Sequence, residues 1–145
     1  MRRLLLVIIA AWAGGLWTIC GIVAPLLFRV LQDRSLAGSI AGHMFTAATW
    51  LALVLGALTF LVQMRVQGKT GHLNRALALV GMLAPALSEF GLRPLMESAR
   101  ATGNMGQFGM LHGLSALLFG VACLATALLL WRTAGTDAVS TTHGG

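Results

Sequence analysis

Residues 106–115 read Gly-Gln-Phe-Gly-Met-Leu-His-Gly-Leu-Ser and open an apolar run that continues through Trp131. At 1.5 Å per residue, a helix of that length crosses the roughly 30 Å hydrocarbon core of a bilayer. A titratable imidazole, His112, stands inside the run, with Gly109 and Gly113 beside it and Ser115 close behind. Polar groups at membrane depth are costly, so His112 is read as a site residue.

Outward from this stretch the pattern recurs. The chain has 145 residues, 57% of them hydrophobic and 10% charged, and a mean hydropathy of +0.84. That is too little polar surface to cover a soluble core, so the expected solvent is the lipid bilayer. Apolar runs predict four helices, at about 4–28, 36–63, 76–98 and 108–131. The expected fold is an all-α, integral-membrane, antiparallel four-helix bundle occupying 1–132, with a disordered cytoplasmic tail over 133–145. Pro85 and Pro94 should bend or shorten the third helix.

Three stripes of small residues recur at helical spacing. They are Ala10, Gly14, Thr18, Gly21 and Pro25; Gly38, Gly42, Thr46, Thr49 and Gly56; and Gly109, Gly113, Ala116 and Gly120. Small residues let membrane helices approach closely, so each stripe is expected at a helix–helix seam, and His112 with the last of them. Cys20 and Cys123 read as small buried apolar groups rather than a disulfide.

Ten Lys and Arg stand against four acids, a net charge of +6. In this setting the excess concerns orientation and lipid headgroups, not nucleic acid. Arg2, Arg3, Arg65, Lys69, Arg75 and Arg132 fall on the side of the termini, and Arg29, Arg34, Arg93 and Arg100 on the other. The positive-inside rule then predicts a multi-pass protein of the bacterial inner membrane with both termini cytoplasmic. No phosphate loop, nucleophile elbow or CxxC pair is present, which argues against nucleotide, hydrolase and thiol–disulfide chemistry and leans the reading away from an enzyme.

An offset of 69 residues pairs Pro25 with Pro94, His43 with His112, and Thr46 with Ser115. The bundle therefore reads as two helical-hairpin repeats related by an axis along the membrane normal.

Topology gathers an outward-facing polar pocket from His43, Glu89, Arg93, Glu97, His112 and Ser115, with Met44, Met96, Met105 and Met110 at a similar level. Glu89, Arg93 and Glu97 share one helical face at four-residue spacing, so opposite charges can pair. Three functions compete. The leading one is structural or partner-binding, with a second copy or a membrane complex as partner. In the second, His43 and His112 ligate a b-type haem, or with Met44 and Met110 a copper ion, since facing helices and soft sulfur ligands suit such groups. The third is a small-molecule or lipid transport site on the Glu-Arg-Glu face. Catalytic residues are not indicated.

Residues 11–31 (Ala-Trp-Ala-Gly-Gly-Leu-Trp running into Ala-Pro-Leu-Leu-Phe-Arg-Val-Leu), Leu-Arg-Pro at 92–94 and Phe-Gly-Met-Leu-His-Gly-Leu-Ser at 108–115 resemble one known family. It is the family of small membrane proteins to which eukaryotic transmembrane protein 205 belongs, with its bacterial relatives. The resemblance implies four membrane helices and supplies no activity. The family pattern has a histidine in the first helix, absent here, and none corresponding to His43. Of the two histidines, the resemblance supports His112.

Overall fold

The computed structural model describes residues 2–65 and 68–135, and within them the chain is all helix and turn. Four helices are long and apolar enough to cross a membrane: Arg3–Val30, Arg34–Gln63, Thr70–Ala101 and Met105–Gly135. They are called the first to fourth spans below. Neighbouring spans pack antiparallel around a square, the first against the second and fourth, the third against the same two. The all-α four-helix bundle expected from the sequence is the fold observed.

Boundaries shift at the connections. Asp33 caps the second span through its Oδ1, which accepts from the Ser35 and Leu36 N–H groups at 2.8 and 3.2 Å. The third helix begins at Gly68, ahead of the expected start at 76. Between the third and fourth spans, Thr102–Asn104 makes a tight turn. Gly103, at φ 71°, takes the left-handed position, and its N–H donates to the Arg100 carbonyl while that of Asn104 donates to Ala99. These two bonds satisfy carbonyls that the helix end leaves free. Asn104 Oδ1 then accepts from the Gln107 N–H at 3.1 Å and caps the fourth span. That span continues to Gly135, beyond the expected start of the tail. Residues 136–145 lie outside the described residues.

The first and third spans share a local departure. Each contains a π-helical stretch, Ile19–Val23 and Leu87–Leu92, followed by a proline in the first turn of the next α-helical segment, Pro25 and Pro94. Proline offers no N–H and its ring crowds the carbonyl four residues back, and a wide turn relieves that crowding. The two stretches recur at the spacing of the proposed repeat. Pro85, inside the helix Gly68–Ala86, directly precedes the second wide stretch.

The core centres on Trp12, fully buried with Ile9, Leu16, Ala52, Ala78, Ala122 and Leu129 around it. Its indole lies against two glycines on other spans. A Cβ at Gly56 would stand 3.1 Å from Trp12 Cη2, and one at Gly81 would stand 3.0 Å from Cη2 and Cζ2. Phe45 and Phe119 meet across the bundle diagonal with ring centroids 4.7 Å apart. At the far end, opposite the termini, packing loosens. The segment Ala24–Val30 packs on the second span and forms no extensive interface with the described residues of the third and fourth.

Candidate functional site

Two features stand apart from ordinary packing. One is polar and internal, the other small and outward-facing.

The internal feature begins at the wide stretch of the third span. Glu89 there has a side chain 11% exposed, and it pairs with Arg93 one turn on, whose side chain is 33% exposed. Thr46 of the second span donates its hydroxyl to Glu89 Oε1 at 2.7 Å, and Arg93 Nη1 donates to Thr46 Oγ1 at 2.5 Å. Arg93 Nε donates to Glu97 at 3.2 Å, and the Glu97 side chain is 70% exposed. The neighbour of Glu89, buried Ser88, shares a 2.5 Å hydrogen bond with Ser115 of the fourth span. One polar layer thus runs from the fourth span through the third to the second and ties the two hairpins together.

Depth separates this layer from headgroup-level charge. Thr46 and Glu89 each stand twelve residues in from the far ends of their spans, Arg34 and Ala101, roughly 18 Å along the axis. Spans of 30 and 32 residues overhang a hydrocarbon core of roughly 30 Å. With the overhang shared equally between the two ends, the ion pair lies about 10 Å inside that core. Such a pair survives there because each charge is partnered and hydrogen-bonded.

The histidines belong elsewhere. His43 is exposed, and its Nδ1–H donates to the Ser39 carbonyl of its own helix at 2.8 Å. His112 is exposed and lies parallel to Phe108, one turn back on its own helix, at 6.0 Å and 9°. Arg100 covers the Phe108 ring at 4.7 Å. Neither Glu89 nor Glu97 partners His112: Glu89 pairs with Arg93 and Thr46, and Glu97 with Arg93. Met110 is 69% exposed and Met44 partly buried. Among the described residues no group of three His, Cys, Asp or Glu is placed to share a metal ion.

The outward feature reverses a second expectation. On the fourth span Gly109, Gly113, Ala116 and Gly120 are all exposed, as is His112 on the same side. A Cβ at Gly109, Gly113 or Gly120 would meet nothing within 4 Å. On the first span Ala10, Gly14, Thr18, Gly21 and Pro25 are likewise exposed. Only the second-span stripe turns inward, with Thr49 and Gly56 buried. Between the first and fourth spans, toward the terminal end, lies an open apolar groove of about 430 Å³, lined by Ala10, Gly14, Trp17, Ala127, Leu130 and Trp131. This concavity is apolar and at the opposite end from the polar layer.

Sequence reading missed Thr46 as the partner of Glu89, and Ser88. The adjacency of Ser88 to Glu89 before a proline was the available signal.

A four-helix protein with spans of this kind is a multi-pass membrane protein by length and composition. The family described as domain of unknown function (DUF4149) matches residues 7–105, and the chain belongs to that family. The match covers the first three spans and ends at the start of the fourth, before His112. No curated protein and no solved structure matches the chain.

Proposed function

We propose that this protein acts by contact rather than catalysis, pairing with a second copy of itself through the outward small-residue face of its first and fourth spans. The observation that carries the reading is the bare stripe Gly109, Gly113 and Gly120, open to its surroundings in a single copy. Lipid tails gain nothing from glycine, whereas a facing helix gains close backbone approach. Two such stripes flank the seam between neighbouring spans, and a two-fold axis can bring one surface against its own copy. The proposal puts the protein in the bacterial inner membrane with both termini cytoplasmic, supported by the six-to-four distribution of basic residues. It also places the chain in the transmembrane protein 205-like group, supported by the motifs at 11–31, 92–94 and 108–115.

Native mass spectrometry from native-lipid nanodiscs tests the pairing. Two chains per particle are expected, and one chain across a range of protein concentrations would overturn it.

A second reading, a ligand site on the polar layer, is favoured by the depth of Glu89 and Arg93 and by the half-open Glu97 end. It takes a small polar solute or lipid headgroup entering from the far side, and substrate flux in proteoliposomes tests it. A Soret band or stoichiometric copper in the purified protein, lost in His43→Ala and His112→Ala, would instead assign these histidines as ligands.

A further inference from the structure

The four spans form two hairpins, the first span with the second and the third with the fourth. Over the terminal half the hairpins share one core, where Trp12 lies against Gly56 and Gly81 of the second and third spans. At mid-depth this shared packing ends in a floor of three contacts between the hairpins. Phe45 of the second span meets Phe119 of the fourth with ring centroids 4.7 Å apart. Trp50 of the second meets Phe90 of the third at 5.9 Å. Trp17 of the first donates its indole N–H to the Cys123 carbonyl of the fourth at 3.2 Å.

One polar link stands on that floor, the hydrogen bonds of Thr46 with Glu89 and Arg93. Beyond it the hairpins diverge. No residue from Trp17 to Val30 is buried, and Ala99 is the one buried residue of Arg93–Ala101. Ala24–Val30 packs on the second span and Arg93–Ala101 on the fourth, each within its own hairpin. Among the described residues, the hydrogen bonds and ring contacts of this half also stay within a hairpin, as where Arg100 covers Phe108.

The first and third spans change their winding where the shared half gives way to the divided one. In each wide turn one backbone bond reaches five residues back, from the Ala24 N–H to the Ile19 carbonyl and from the Arg93 N–H to the Ser88 carbonyl. Pro25 and Pro94 follow at once and each removes a further bond of the ladder. Wide turns and prolines are the places at which helices bend. Each therefore lies at the foot of a segment held by one hairpin alone.

We infer that the far halves of the two hairpins part and close about the hinges Ile19–Val23 and Leu87–Leu92, with Thr46, Glu89 and Arg93 as the latch. Opening strands no charge, because Glu89, Arg93 and Glu97 share one span and keep their pairs. Thr46 also keeps a partner, the Gly42 carbonyl at 3.0 Å. What separates is the bonding of Thr46 to the third span, of the modest strength usual between membrane helices. Segments with few buried apolar contacts are those that open first. Opening presents the Thr46 hydroxyl and the Glu89 carboxylate to the far side. The motion belongs to the single chain and needs neither a ligand nor a second copy.

Pulsed electron double resonance between paired spin labels tests it in nanodiscs, with labelled chain diluted in unlabelled chain so that each distance is read within one copy. Cys20 and Cys123 are replaced by alanine. Leu36→Cys with Met105→Cys spans the hairpins at the far end, and Met64→Cys with Trp131→Cys spans them at the terminal end, all at exposed positions. Two distances are expected from the far pair and one from the terminal pair. Thr46→Val should raise the longer far distance over the shorter by about threefold, the effect of losing one interhelical hydrogen bond. A single far distance, two distances at both ends, or a ratio unmoved by Thr46→Val would overturn the inference. The first comparison leaves latch and hinges unaltered, so it decides even where Thr46→Val does not fold.

Discussion

Thr46 and Glu89, 43 residues apart in sequence, meet through a 2.7 Å hydrogen bond where the second and third spans face each other. Arg93 bonds both, so three side chains from two hairpins form one closed unit. The unit joins the hairpins at the level where the far ends begin to part.

Removing one member of this unit should cost more than removing two. Arg93→Ala leaves the Glu89 charge without its cation inside the membrane, and a loss of about 3 kcal/mol is expected. The double variant Arg93→Ala with Glu89→Gln should recover part of it, because no uncompensated charge remains. Thr46→Val should lose only about 0.6–1.7 kcal/mol, the range of interhelical hydrogen bonds in lipid. Unfolding in mixed micelles measures all three, and additive losses in the double variant would contradict the unit.

Within the spans, glycine is required where Trp12 passes and dispensable where a Cβ would meet open space. At Gly81 a Cβ would stand 2.9 Å from Thr126 Cγ2 and 3.0 Å from the Trp12 ring. Gly81→Ala should therefore destabilise by about 1–3 kcal/mol. Gly14→Ala, with nothing within 4 Å, should leave the Tm of the single chain unchanged. Thermal unfolding of the two variants side by side gives the comparison.

Gly113→Leu should leave single-chain stability intact, since the added side chain enters open space. The same variant should shift the native mass from two chains to one, because a bulky group holds facing helices apart. Loss of Tm without a change in mass would place the stripe inside the fold after all.

His112→Ala should change stability by less than about 0.5 kcal/mol, the usual range for an exposed substitution away from special features. Its described contact is the parallel stack on Phe108 within one helix. An unfolding midpoint well below that of the parent would show a partner across a seam.

Much of the fold was legible because a membrane span is a matter of length and apolarity, and lipid imposes both on a helix. The four spans followed from hydropathy alone. The ion pair was legible too, since Glu89, Arg93 and Glu97 stand four residues apart. Thr46 was not, because a cross-span partner depends on helix rotation, which spacing does not set. The direction of the small stripes misled for a related reason. In a soluble helix the apolar face marks the core, but lipid is as apolar as the bundle interior. Gly109, Gly113 and Gly120 therefore identify a face of the fourth span without saying whether the bundle or its surroundings lies opposite. Gly56 reads the same way in sequence and turns inward, because Trp12 needs the space. The wide turns before Pro25 and Pro94 were announced by the prolines only as bends.

Orientation follows from labelling of single cysteines. Ser35 and Thr102 stand at the far end and Thr70 at the terminal end. With cytoplasmic termini, a membrane-impermeant maleimide added to spheroplasts should label Ser35→Cys and Thr102→Cys and spare Thr70→Cys. Labelling of Thr70→Cys alone would invert the topology.

Pairing through the outward face is tested most directly by cross-linking in the native membrane. With Cys20 and Cys123 replaced by alanine, Gly113→Cys is oxidised in place and compared with Leu83→Cys, an exposed position on the third span. The account predicts a species of twice the chain mass from Gly113→Cys and none from Leu83→Cys. No such species from Gly113→Cys, or equal yields from both positions, would contradict it.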